Sequence, residues 1–512
     1  MRDEKLFWRI LALVFVFKLV LAAILPMSGD EAYFVVWAQH PDIGYYDHPP
    51  MVAWLLALLL PFGHADWLVR LPAVVMSTLE GWVIWRMLRP AGQAQAALAA
   101  AVYLVWPFSL VNVLVTTDTP LIFFVLLSVW FLVRAVRDGC RSCHAWSGLM
   151  LGLAFLSKYF AVVLVLAYGF WFIFTATGRR HWRGGLILLL AALPAGLLNL
   201  FWNVTHCWDN ILFNAYNRNT GITLSWHDLL LYLAMTLYMV TPPVAWAWWH
   251  ERRQTGSPQV GLYGFVWWVP TLFFLILSTG KTIGLHWVLA FYPFLFLLLG
   301  ESLPVDRMRG LLRFMSGFAL LHVLVIAFLV LSPARWWLPA RLDSGYVLLM
   351  QPEAVLSALR PLRSGFVVAT NDYSTSAVMA WHDRQPWMVY GEGSKHARED
   401  DMLTDFRQLA GRNILVFDKS PTGDEDYAPY FQRIVRHQLK IGNGVFYVVQ
   451  GYGFRYPAYR DVVLRSIRQR YYRIPEWLPH TPCYFCVRYF PQTGCSTLPD
   501  AAATQSPAHD QP

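Results

Sequence analysis

The sequence predicts a polytopic α-helical membrane protein that carries an α/β domain on one side of the bilayer. Three observations carry that reading. Of 512 residues, 56% are hydrophobic and 14% charged, against about 45–50% and about 25% in an average soluble domain. The charge is uneven: residues 1–334 hold 36 Asp, Glu, Lys and Arg, and residues 335–512 hold 37. The longer first part therefore has the makeup of a membrane protein and the second that of a soluble domain. Apolar runs of about 20 residues, enough to cross roughly 30 Å of hydrocarbon, recur through the first part. Together these exclude a single soluble globule, a disordered chain and a secreted disulfide scaffold. The net charge of +9 sits mainly in small clusters between apolar runs, which marks topology and not nucleic-acid binding.

Spans are expected near 6–25, 69–88, 92–112, 119–136, 146–158, 160–178, 184–203, 228–249, 260–279, 285–301 and 311–332. The 146–178 stretch would be about 50 Å long as one helix, and Lys158 and Tyr159 interrupt it, so it is read as two. Eleven crossings from a cytoplasmic start agree with the positive-inside rule. Inside segments gather Arg2, Lys5 and Arg9, then Arg86 and Arg89, Arg134, Arg137 and Arg141, Arg179, Arg180 and Arg183, Arg252 and Arg253, and Arg307, Arg309 and Arg313. Outside segments hold far fewer cations. The odd count puts the C-terminal part outside, giving a transmembrane domain over 1–334, a periplasmic α/β domain over 335–495 and a disordered tail over 496–512. The apolar segment 51–62 is too short to cross and reads as a helix along the outer interface. In the outer domain, strands are expected at 366–370, 387–390, 413–417 and 445–450, with helices near 374–382 and 398–411.

Polar residues near membrane depth are costly, so each carries a functional hypothesis by default. The outer face concentrates them. After the first span come Asp30, Glu31, His40, Asp42, Asp47 and His48 with no Lys or Arg among them. Asp30 and Glu31 open an amphipathic stretch rich in Tyr and Trp, and the His48-Pro49-Pro50 turn fixes the entry of the next helix. A solvated loop is the plain alternative. Asp118 begins another run two residues before Pro120, where an ordinary helix cap is the plain reading. Lys158, Arg218, Lys281 and His286 follow on later outer turns; for Lys158 the plain reading is snorkelling at a helix end. Acids in such a set can act as a general base or hold a metal, and cations can hold a phosphate.

These residues resemble a known family. Asp30-Glu31-Ala32-Tyr33, Tyr46-Asp47-His48-Pro49-Pro50 and Val69-Arg70-Leu71-Pro72 are similar to motifs of GT-C fold membrane glycosyltransferases. The resemblance is strongest to the bacterial branch of 4-amino-4-deoxy-L-arabinose and galacturonosyl lipid A transferases, relatives of the dolichyl-phosphate-mannose protein O-mannosyltransferases. Thr117-Asp118-Thr119-Pro120, Ser157-Lys158-Tyr159, Trp202-Asn203 and His286-Trp287 extend it through residues 1–334 in order. The resemblance implies an inverting glycosyltransferase of the inner membrane. Its donor would be a sugar on an undecaprenyl-phosphate-type carrier, and its acceptor a lipid A-type or other envelope glycan outside. It carries Asp30 over as catalytic carboxylate with Glu31 beside it, and Asp118 as the second acidic position. Lys158, Lys281 and Arg218 are then candidates for the donor phosphate, and Asp47, His48 and His286 for positioning. A divalent metal is left open. The outer domain is expected to cover the site or select the acceptor.

Three other readings are weighed: a protein O-mannosyltransferase; a polytopic lipid or solute transporter, for which Lys18 is the obvious charge within a span; and a receptor or scaffold whose outer domain is the working part. Among the six cysteines, Cys140 and Cys143 face the reducing side and are expected as free thiols. Cys483 and Cys486 read as a short-loop disulfide, with Cys207 and Cys495 left over.

Overall fold

Long apolar helices make up most of the first two thirds of the chain in the computed structural model, which describes residues 2–217, 224–251, 258–394, 396, 398–479 and 481–492. Six helices among them are long and apolar enough to cross a membrane alone: Arg2–Ile24, Asp66–Ala91, Asp118–Arg137, Trp182–Thr205, Gln259–Leu277 and Val305–Leu331. Two bent pairs reach that length together, Trp226–Val240 with Pro242–His250 and Leu285–Phe291 with Pro293–Ser302. The chain is thus a multi-pass membrane protein.

The other three expected spans are shorter helices, Gln93–Val105, Arg141–Ser157 and Ala161–Phe174. Two of these stops have a local cause. Pro107 biases Trp106 out of the helical region and ends the first. Lys158 turns to an extended backbone and ends the second. The expected helix over 228–249 breaks by 76° where Thr241 takes a left-handed φ of 68° just before Pro242 and Pro243. The 51–62 segment forms a helix at Met51–Ala57 and a tight turn at Leu60–Phe62.

The C-terminal part is built on one five-stranded sheet. Its strands are β1 (Val367–Thr370), β2 (Met388–Val389), β3 (Ile414–Asp418), β4 (Phe431–Ile441) and β5 (Gly444–Phe454), in spatial order β2-β1-β3-β5-β4. The three short strands run parallel, and β5 pairs antiparallel with β3 and β4. The sequence reading omitted β4, an edge strand with many exposed polar side chains. The helix Tyr373–Asp383 lies where expected, whereas 398–411 yields only the turns Asp400–Leu403 and Phe406–Leu409. The tail 496–512 and Cys495 lie outside the described residues.

Two features join this domain to the membrane part. Ala377, Val378 and Trp381 of the Tyr373–Asp383 helix share one apolar cluster with Tyr33, Phe34 and Trp37 of the helix Gly29–Gln39. Cys207 bonds Cys483, 276 residues away. The expected Cys483–Cys486 pairing is therefore replaced by a long-range one, which local spacing cannot reveal. Cys140 and Cys143, expected as free thiols, are also joined; they sit in and just before the first turn of the Arg141–Ser157 helix, where residues three apart share a face.

Candidate functional site

Ser28 starts the Gly29–Gln39 helix with a reciprocal cap. Its Oγ accepts from Glu31 N, and Glu31 Oε2 accepts from Ser28 N. The same Glu31 carboxylate receives Arg70 through two N–H bonds of 2.7 Å. Arg70 spends its remaining donors on the carbonyls of Ala22, Leu25 and Pro26, so all five guanidinium N–H groups are engaged. Val115 N also donates to Glu31 Oε1 at 3.0 Å. Glu31 thereby ties the end of the first span, the Asp66–Ala91 helix and the approach to Asp118 into one knot. Its oxygens are occupied, and it is fully buried.

Asp30, the neighbouring residue, is exposed. Its Oδ1 accepts from the hydroxyl of Tyr373 in the sheet domain at 3.0 Å, and its Oδ2 takes no hydrogen bond from the described residues. The two helices that carry them meet closely: a Cβ added at Gly29 would lie 1.7 Å from Ser374 Oγ. The Tyr373 and Tyr33 rings pack edge to face at 4.9 Å.

The Asp42–His48 loop is clamped from both domains. Tyr45 stacks on Trp37 at 4.6 Å, accepts from Asp42 N and donates to Trp37 O. Asn210 donates to the Tyr46 carbonyl at 2.9 Å. Glu399 of the sheet domain accepts from Tyr46 N, and its own N–H donates to Tyr33 Oη, both at 3.0 Å. Gly44 lets Trp202 pass, since a Cβ there would approach its ring to 2.5 Å. Trp202 in turn donates to Asp42. Asp47 is buried in this loop, and the His48 ring lies beside Phe34 and Trp37.

Asp118 begins the Asp118–Arg137 helix three residues after Val115, and Lys158 reaches it with Nζ at 2.7 and 2.8 Å from the two carboxylate oxygens. The residues named separately as acid and as phosphate-binding cation are therefore one ion pair. Lys158 Nζ stands 5.3 Å from the Phe160 ring, Phe160 lies 4.9 Å from Trp287, and Lys281 Nζ stands 5.8 Å from the Trp287 ring. An aromatic pair thus links the two lysines. His286, next to Trp287, is exposed. Arg218 lies outside the described residues. A small apolar cleft is lined by Val52, Leu56, Val69, Ala73, Val115, Thr116 and Pro120.

Tyr373, Glu399 and Asn210 were not found from sequence, because their significance arises only where the sheet domain or a later loop meets the first. Arg70 did carry a signal: a charge inside an otherwise apolar helical run. Burial pushes the Glu399 carboxyl well above the usual carboxylate range, and nearby Asp209 adds to this, against the Tyr46 N–H. Burial and neighbouring Asp401 push Asp400 up to about 7. Among the described residues no three His, Cys, Asp or Glu side chains are grouped as a metal ion would require.

Comparison with known proteins agrees with this architecture. Residues 47–202 match the family model described as dolichyl-phosphate-mannose-protein mannosyltransferase. The chain is 28% identical over 204 residues to the lipid A galacturonosyltransferase RgtD of Rhizobium johnstonii, covering 39% of this chain and 42% of that protein. It is 29% identical over 190 residues to the putative mannosyltransferase YycA of Bacillus subtilis, covering 36% and 27%. The aligned region thus spans less than half the length of either relative. ArnT from Cupriavidus metallidurans, solved bound to undecaprenyl phosphate, superposes with a TM-score of 0.63 over 86% of this chain and 97% of ArnT, at 16% identity. The fold is that of a GT-C membrane glycosyltransferase. Within that class, the chain resembles the branch of ArnT and the lipid A galacturonosyltransferase.

Proposed function

We propose that this protein is an inverting glycosyltransferase of the bacterial inner membrane, with its N-terminus cytoplasmic and its sheet domain periplasmic. It moves a sugar from an undecaprenyl-phosphate-type carrier to lipid A or a similar envelope acceptor. The observation that carries this reading is the exposed carboxylate of Asp30, held at the meeting of the two domains while its neighbour Glu31 is consumed in the buried knot.

In this reading the acceptor hydroxyl gives its proton to Asp30 as its oxygen attacks the anomeric carbon. The bond from that carbon to the phosphate oxygen breaks on the opposite face, and the electron pair leaves with the polyprenyl phosphate. Lys158, with Lys281 across the aromatic pair, stabilises the charge gathering on the leaving phosphate. Asp118 holds Lys158 in place, and Glu31 acts as a positioning residue. Burial of the polyprenyl chain in lipid keeps the carrier at this depth at about 0.8 kcal/mol per CH₂. His48, Asp47 and His286 are assigned to shaping the loops around the site.

Similarity to the protein mannosyltransferase model over residues 47–202 keeps a Ser or Thr hydroxyl of a protein as the second acceptor class. A transporter fits less well. Lys18 is bound to Ser77, and Glu80 to Tyr103, inside the helix bundle, and the remaining site charges crowd one end of the bundle. Lipid A mass spectra from wild type, deletion and Asp30→Asn strains test the proposal. One sugar mass lost in both mutants supports it. Unchanged lipid A on deletion moves the acceptor to glycoproteins or another glycan, and full transfer by Asp30→Asn removes Asp30 as the base.

A further inference from the structure

We propose that Tyr373 of the outer domain is the positioning residue for Asp30, so that the catalytic carboxylate is oriented by a group 343 residues away in sequence. This rests on the reading of Asp30 as the base. A carboxylate on the exposed first turn of a helix samples several rotamers, and a general base works only if one oxygen is held within reach of the acceptor proton. The Tyr373 hydroxyl fixes Oδ1 at 3.0 Å, which leaves Oδ2 to take the proton. The acceptor's O–H bond then breaks toward Oδ2 as its oxygen bonds the anomeric carbon and the phosphate departs.

Tyr373 is itself well held. Asp372 caps its helix by accepting from both the N–H and the hydroxyl of Thr375 at 2.7 Å. The phenol ring rests edge-on against buried Tyr33, and the Gly29–Ser374 contact brings the two helix starts together. None of these groups reacts; together they decide where one hydroxyl points. The outer domain thereby becomes part of the catalytic centre rather than only its cover.

The test uses the full-length protein in lipid nanodiscs. Its donor is undecaprenyl phosphate bearing the sugar whose mass the deletion strain loses, and its acceptor is purified lipid A. Tyr373→Phe keeps the ring and removes the hydroxyl. Loss of one charge-assisted hydrogen bond predicts a kcat about ten- to a hundredfold lower. The donor KM, and the melting shift produced by undecaprenyl phosphate alone, stay within twofold of wild type. Tyr33→Phe, which removes the Glu399 tether without touching Asp30, separates positioning from docking and keeps a near-normal kcat. The inference is overturned if Tyr373→Phe retains wild-type kcat, if its loss lies in KM, or if Tyr33→Phe loses as much. Asp30→Asn with full activity overturns the function reading as well; an inactive Asp30→Asn beside a fully active Tyr373→Phe overturns this inference alone.

Discussion

Glu31–Arg70 and Asp118–Lys158 are both acid–base pairs at the end of the helix bundle that meets the sheet domain, and both have contacts as short as 2.7 Å. Their surroundings differ. The first pair keeps 0–1% of its side-chain surface exposed, and Arg70 reaches three backbone carbonyls besides. The second keeps 9–10% exposed and adjoins an aromatic bridge to a second lysine. Saturation makes an ion pair into architecture. A pair that keeps some exposure, with one charge of the sign a phosphate needs, is suited to exchange partners.

The largest effect should come from breaking the saturated pair. Glu31→Ala leaves Arg70 buried without its anion, which costs about 3–5 kcal/mol. The variant should fail to accumulate as a monodisperse membrane protein in detergent size-exclusion profiles. Replacing both Glu31 and Arg70 by Met should not rescue it, because the carbonyls of Ala22, Leu25 and Pro26 and the N–H of Val115 then lose their partners. A well-folded double variant would show that the knot is dispensable.

The second pair should behave in the opposite way. Asp118→Asn combined with Lys158→Met removes both charges without leaving either one buried alone, so the melting temperature should stay within a few degrees. Transfer should fall steeply, with a donor KM about ten- to a hundredfold higher if any activity is measurable, the value of one charge-assisted contact. Collapse of the fold in this variant would place the pair with the first, as architecture.

The membrane class, the helical order and the two first-loop acids were legible in the sequence, because hydropathy and charge placement act over short distances. The different fates of Asp30 and Glu31 were not. They are adjacent, and which one turns inward depends on Arg70, 39 residues away, and on Tyr373 in another domain. The merging of Asp118 and Lys158 into one pair was hidden for the same reason. Cys207 and Cys483 show the limit clearly: a C-x-x-C spacing suggested a local partner, while the fold supplied a distant one. Helix ends at Trp106 and Thr241 were written in Pro107, Pro242 and Pro243, signals that a count of apolar residues overlooks.

A third acid sharpens the comparison by having no cation of its own. Asp400 lies at the start of the turn Asp400–Leu403, and its buried Oδ2 takes no hydrogen bond from the described residues. Its neighbour Asp401 takes Arg398 for itself through bonds of 2.7 and 3.1 Å. Burial, then Asp401, push Asp400 up to about 7 from an ordinary 3.8. The folded protein therefore keeps a proton that the unfolded chain releases. The stability this confers is fully present below about pH 4 and is lost as the pH rises through 7. Asp400→Asn keeps the shape without the ionisation. Its melting temperature should match wild type near pH 4 and exceed it by a few degrees at pH 8, with a shallower slope between. Burial of Glu399 leaves some slope in both proteins. Equal slopes would mean that water or movement of the loop relieves Asp400 when it ionises, and that an acid without a cation can be accommodated here after all.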